Sequence, residues 1–296
     1  MAPVNRIMNS TAPVDIYNSF FGFSERPFTL VPDPDFLFWS KSHRLAYTML
    51  EYGVLTRAPI TVVTGEIGAG KTTLLQHLLN GLPEDVVVGL ISNAQGDRGE
   101  LLQWVLHALG ERFDHAASYV ALFQQLQDYL LETYAGGQRV ILIIDEAQNL
   151  NTSTLEELRM LTNINSNKDE LVQLVLVGQP ELRQLIMRPE LKQFVQRVGS
   201  SFHLSAMNRD NVAAYIAHRL RIANGTGQEF SEAAIDRIFV LTNGIPRLVN
   251  QLCDLSLVYA FSAEEHIVTI ETIEHVLADG VFFGAACMDG GKVYES

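Results

Sequence analysis

The stretch that most constrains this chain is TVVTGEIGAGKTTLL, residues 61–75. An apolar, β-branched run from Ile60 to Thr64 stops at Gly65. From there Gly65, Gly70, Lys71 and Thr72 satisfy the spacing G-x-x-x-x-G-K-[ST] without a mismatch. Glycines let a backbone turn tightly and aim its N–H groups inward. Phosphate oxygens are therefore expected in the nest formed by Gly65, Glu66, Ile67, Gly68, Ala69, Gly70, Lys71, Thr72 and Thr73, at the positive end of a helix that begins near Lys71. The motif places the Lys71 ammonium on the β- and γ-phosphates and the Thr72 hydroxyl on Mg²⁺. A chance glycine-rich turn is the competing reading. Against it, the strand, the loop and an amphipathic helix over residues 72–79 follow in the order the motif requires.

A second stretch, RVILIIDEAQNL (residues 139–150), has the Walker B pattern. Five apolar residues run straight into Asp145 and Glu146, so a buried parallel strand delivers two carboxylates to the carboxyl edge of a sheet, where ligands bind in α/β folds. Asp145 is placed to hold Mg²⁺ and Glu146 to orient and polarise an attacking water. A further apolar run, residues 171–177, ends in Gly178-Gln179-Pro180. That brings Gln179 to the same edge, either to sense a γ-phosphate or hold the water, or simply to start a helix, since proline is common at the first helical position.

The chain has 296 residues, 47% of them hydrophobic and 19% charged, with a net charge of −13. It can bury a real core, and its acidity argues against a mainly electrostatic nucleic-acid binder. No apolar run approaches the roughly 18 residues of a membrane span, and MAPVNRIMNSTAPVD at the amino terminus lacks the apolar stretch of a secretory signal. The two cysteines, Cys253 and Cys287, form no C-x-x-C pair, which fits a reducing compartment and argues against structural zinc.

Read in order, residues 1–16 form a flexible leader. YNSFFGFSERPFTLVPDPDFLFW, residues 17–39, is an aromatic, proline-broken arm with no helical period. Ser40 or Ser42 caps a helix over residues 43–55. Residues 86–91 read as a strand buried on both faces, residues 99–109 and 119–134 as helices, 165–170 as a polar turn, and 202–204 as a short last strand. Five strands alternating with helices imply a parallel sheet covered on both faces. Helical spacing over residues 212–223, 231–242, 246–261 and 270–277 then gives a small all-helical domain. The organisation expected is an α/β domain with its arm over 17–205, a helical domain over 206–280 and a flexible tail over 281–296.

FFGFSERPFTLVPDPDFLF, TGEIGAGKTTLL, IIDEAQNL, LVGQPEL and TNGIPRLVNQLCD occur in that order between about residues 17 and 255. Together they resemble the AAA+ ATPases of the ExeA/GspA secretion type and the related ATPases of exosortase and exopolysaccharide loci. The resemblance implies a P-loop NTPase of the AAA+ class with a five-stranded parallel sheet and a C-terminal helical lid. The implied chemistry is hydrolysis of ATP with Mg²⁺ in a homo-oligomeric ring or filament, serving a membrane-embedded secretion or polysaccharide-export partner from the cytoplasmic side. It casts Gln179 as sensor 1, Arg247 as sensor 2, and Arg197 as the arginine finger for a neighbouring subunit, a surface salt bridge being the alternative for Arg197. Asn93 would hold Glu146 inactive until a partner binds. The relatives often place a second arginine just before the aromatic-His-Leu, where this chain has Ser200-Ser201. DNA-associated regulators of the MuB and TnsC transposition type share the architecture and form the alternative function. The acidic balance disfavours it.

Overall fold

The computed structural model describes residues 16–31, 34–92, 100–166 and 169–285. In chain order its elements begin with a short helix α1 (Asn18–Phe21), α2 (Lys41–Leu55), β1 (Ile60–Gly65), α3 (Lys71–Asn80) and β2 (Val86–Ser92). Then come α4 (Glu100–Ala108), α5 (Tyr119–Ala135), β3 (Arg139–Asp145), α6 (Thr152–Leu161), a small hairpin of β4 (Asn165–Ser166) and β5 (Asp169–Glu170), and β6 (Val172–Gly178). The remainder is α7 (Pro180–Ile186), α8 (Lys192–Val195), β7 (Val198–Leu204), α9 (Arg209–Ile222), α10 (Glu232–Thr242), α11 (Pro246–Ser262) and α12 (Ile270–Ala278). Two compact units divide these elements. One runs from Trp39 to Ala206; the other joins the residues up to Phe38 with those from Met207 onward.

The first unit is a parallel five-stranded sheet in the order β2-β3-β6-β1-β7. Its central strands β1 and β6 are buried throughout, as their unbroken apolar runs require. One face packs against α4, α5 and α6 through residues such as Val62, Leu142, Leu174, Leu126 and Leu158; the other packs against α2 and α3 through Val63, Ile143, Val175, Leu50 and Leu74. Helix starts are fixed locally. Ser40, Ser118 and Asn151 each accept a hydrogen bond from the backbone N–H three residues on, a cap contributing about 1 kcal/mol. The register carries the strand ends to one edge together: Thr64 pairs with Gly178, Gly65 with Leu204 and Ser92 with Asp145.

Three expectations change in this unit. β2 is an edge strand, so it is not buried on both faces: Leu90 is 45% exposed and Val86 to Val88 are half-buried. The last strand spans seven residues rather than three, because Gly199-Ser200-Ser201 is drawn into pairing with β1, with an irregular register after Ile60 and the Ser200 hydroxyl on the Met49 carbonyl. The polar turn at 165–170 closes as the β4–β5 hairpin.

The second unit packs α9 to α12 around Val212, Ile216, Leu220, Ile238, Leu252 and Val276. The aromatic arm, which the sequence reading attached to the α/β domain, contributes its buried Tyr17, Phe23 and Phe28 to this core instead. Buried Arg219 holds the arm from beneath. Its Nε donates to the Pro27 carbonyl at 2.6 Å, its Nη1 to the Tyr215 hydroxyl at 2.9 Å, and its guanidinium lies 4.7 Å from the centre of the Phe36 ring. Tyr215 in turn donates to Asn250, whose amide donates to the Thr29 carbonyl. The expected tail also begins later than residue 281: Phe282, 4% exposed, is part of the same core. Asn93 and Cys287 lie outside the described residues.

Candidate nucleotide site

At the carboxyl edge of β1 the backbone leaves the sheet at Gly65 and re-enters helical geometry at Lys71. Gly65 is required by close approach, since a Cβ there would lie 2.7 Å from the Leu204 carbonyl oxygen. Gly68 and Gly70 take φ values of 76° and 97°, the left-handed region that turns successive N–H groups to one side. Gly70 is the residue before α3, whose first N–H groups have no acceptor within the helix. The positive helix end and the loop concavity therefore coincide, as an anion site requires.

Lys71 is 8% exposed, and its ammonium donates to the carbonyls of Gly65 at 2.7 Å and Glu66 at 2.9 Å. Burial lowers its pKa, while the charges of Glu146, Asp145, Glu66 and Glu181 act in the opposite direction. Both Walker B carboxylates are thus within electrostatic reach of this amine. Asp145 closes β3. Burial raises its pKa, aided by the Glu146 charge and opposed by the Glu146 N–H, Lys71 and a hydrogen bond from the Thr72 side chain. The hydroxyl of Thr72 and the carboxylate of Asp145 converge, although they come from different elements.

Glu146 adopts φ 54°, ψ 36°, a left-handed conformation that costs a non-glycine residue of order 1 kcal/mol or more. The turn is held by its own N–H on Asp145 Oδ1 at 2.9 Å and by the Asn149 N–H on its carbonyl at 3.0 Å. Two amides donate to the same carboxylate oxygen, Oε2: Gln148 at 2.6 Å and Gln179 at 3.2 Å. The Gln148 hydrogen bond is the largest influence keeping Glu146 below the usual carboxylate range, with Gln179 and Lys71 assisting against burial. Gln179 stands just beyond β6 and before Pro180, where it is the N-cap residue of α7 and its amide reaches Glu146.

Two arginines stand elsewhere. Arg197 lies at the amino end of β7, bound to Glu170 at 3.0 Å, the Thr162 carbonyl at 3.3 Å and the Asn163 side chain. Arg247 belongs to the helical unit, exposed in the first turn of α11. The preceding turn is rigid: Gly244 has φ 69°, and a Cβ there would lie 1.9 Å from the Met207 carbonyl oxygen.

Two contributors escaped sequence reasoning. Gln148 was legible only as part of the DEAQ run, with no spacing rule to single it out. His43, in the first turn of α2, is 5% exposed; its Nε2–H donates to the Ala69 carbonyl at 3.2 Å, and its Nδ1 accepts from the Ser40 hydroxyl at 2.7 Å. That carbonyl is part of the phosphate loop, and only the fold brings α2 beneath it.

Residues 55–186 match the family described as an AAA domain. The fold is that of the AAA P-loop NTPases. Solved structures share the fold of this chain at low identity. The Drosophila origin recognition complex bound to DNA aligns with a TM-score of 0.67 at 14% identity, over 95% of this chain and 70% of that one. Cdc6p from Pyrobaculum aerophilum gives 0.65 at 16%, over 88% and 70%. A Walker-type ATPase of Pyrococcus abyssi gives 0.57 at 18%, over 88% and 78%. The chain is 37% identical over 251 residues to the general secretion pathway protein A of Aeromonas hydrophila. That match takes in 85% of this chain and 46% of the relative, so the chain spans about half of that protein's length. The resemblance to the ExeA/GspA type read from the motifs is borne out.

Proposed function

We propose that this protein hydrolyses ATP with Mg²⁺ as an oligomer, and that it powers or regulates a cell-envelope secretion or exopolysaccharide-assembly system. The observation that carries the reading is the convergence of a glycine-lined anion nest, the Lys71 ammonium and the Asp145–Glu146 pair at one sheet edge. Lys71 neutralises the β- and γ-phosphates. Thr72 and Asp145 supply hard oxygen donors suited to Mg²⁺, and the half-buried Asp145 carboxylate gains from a cation beside it. Bound there, the ion offsets charge on the phosphate oxygens. Glu146 accepts the proton of the attacking water, and Gln179 orients that water or the γ-phosphate. Arg247 acts as the lid-borne sensor. Arg197, once released from Glu170 and Asn163, serves a neighbouring subunit as its finger.

The similarity to a general secretion pathway protein A supports the envelope role, with a membrane-embedded component as partner. No described helix is long and apolar enough to cross a membrane, and we place the chain on the cytoplasmic side of such a partner. The likeness to a DNA-bound origin complex is one of fold alone, and the net charge of −13 gives DNA no electrostatic welcome. The test is steady-state phosphate release with ATP and Mg²⁺ by the parent chain, Lys71→Ala and Glu146→Gln. Turnover is expected from the parent only, with Glu146→Gln still binding ATP. Hydrolysis by Lys71→Ala at the parental rate refutes the site, and stimulation by DNA that is lost at raised salt refutes the envelope role.

A further inference from the structure

Glu146 has to present one carboxylate oxygen to a water while its backbone sits in a strained left-handed turn, so something must fix its side chain. We propose that Gln148 is the positioning residue for Glu146, holding Oε2 so that Oε1 faces the attacking water. The inference rests on the ATPase reading above and names a residue which that reading does not assign.

The geometry fixes the amide at both ends. The backbone N–H of Gln179 can only donate, and it meets the Gln148 amide at 2.9 Å, so the atom facing it is the oxygen, Oε1. The Gln148 NH₂ is thereby turned toward Glu146, which it meets at 2.6 Å. An amide flip would set N–H against N–H at one end and oxygen against carboxylate at the other. The pocket is shaped for this amide as well: a Cβ at Gly178 would lie 2.8 Å from Gln148 Oε1, so a side chain on β6 would displace it. Gln179 donates to the same Oε2 from 3.2 Å, the longer of the two contacts. When the Gln179 side chain turns to a γ-phosphate, Gln148 keeps Glu146 in place, because its own anchor is the Gln179 backbone and not the Gln179 side chain.

In the step served, the water oxygen bonds to the γ-phosphorus. The bond from that phosphorus to the β,γ-bridging oxygen breaks, and the bridging oxygen leaves on ADP with the electron pair. The water proton passes to Glu146 and from there to the released phosphate. Gln148 touches none of the reacting atoms, so its removal acts on kcat rather than on nucleotide affinity.

Gln148→Met fills the same space without an amide. Its kcat is expected to fall about 10- to 100-fold, the value of a lost hydrogen bond to a charged group, with the ATP dissociation constant within about two-fold of the parent. Gln148→Glu is the second variant. It keeps an acceptor for the Gln179 N–H but sets a carboxylate oxygen against Glu146, a like-charge contact that should lower the melting temperature while kcat at saturating ATP falls at least as far. Parental kcat in both variants overturns the proposal, as does a rise in kcat, which would mark Gln148 as a restraint. ATP affinity lost in step with kcat in Gln148→Met reduces Gln148 to loop support. Should Gln148→Met not fold, Gln148→Glu decides alone. A parent chain that releases no phosphate removes the ATPase reading and this inference with it. A parent that turns over, with both variants unaffected, removes only this one.

Discussion

Burial of an imidazole beneath a phosphate loop ties the stability of this protein to pH in a specific direction. His43 is enclosed and donates from Nε2 to the Ala69 carbonyl, and in the neutral ring Nδ1 accepts from the Ser40 hydroxyl. Burial is the main cause lowering its pKa, and the Ala69 carbonyl only partly opposes it. The unfolded chain protonates this histidine near pH 6.5. Above that pH both states are neutral and the group contributes nothing. Below it the unfolded state binds a proton that the folded state refuses, so stability falls as pH falls, by about 1.4 kcal/mol per pH unit until the folded pKa is reached. His43→Gln keeps an amide donor at similar reach and removes the titration. Urea unfolding of parent and variant between pH 5 and pH 8 should give a difference that is flat above about pH 6.5 and narrows toward acid, with the parent losing stability faster. Parallel curves across the whole range would refute the assignment of a buried neutral His43.

Gly244→Ala should cost more than about 2 kcal/mol, because a methyl group there meets the Met207 carbonyl oxygen and the backbone is left-handed; thermal unfolding monitored by circular dichroism measures it. Arg219→Met removes two hydrogen bonds to the arm and Tyr215 together with the contact on Phe36, and limited proteolysis should then cleave within residues 17–38 well before the parent is cut. Glu170→Gln weakens the anchor on Arg197, and turnover in the assembled state should change while that of dilute subunits does not.

The parts of the fold that were legible in the sequence are those set by neighbours in the chain. The phosphate loop, the Walker B strand and the cap at Ser40 each depend on a few consecutive residues whose spacing is diagnostic. What escaped depends on pairing across long separations. Val86 to Ile91 reads as a central strand because its residues are apolar, yet its place in the sheet order leaves one side open. The arm has no period of its own because it packs as side chains against α9 and α11, where Arg219 and Asn250 bind its carbonyls. Gln148 and His43 are ordinary residues in sequence, and each becomes part of the site only when a distant element, Gln179 or Ala69, arrives beside it.

The most direct test is a crystal structure with Mg²⁺ and a non-hydrolysable ATP analogue. The γ-phosphate is expected on Lys71 Nζ, the ion on Thr72 and Asp145, and Glu146 facing the γ-phosphorus with Gln148 still on its Oε2. A triphosphate bound away from the Gly65–Thr73 loop, or Asp145 and Glu146 on the far side of the chain from its phosphates, would contradict the account.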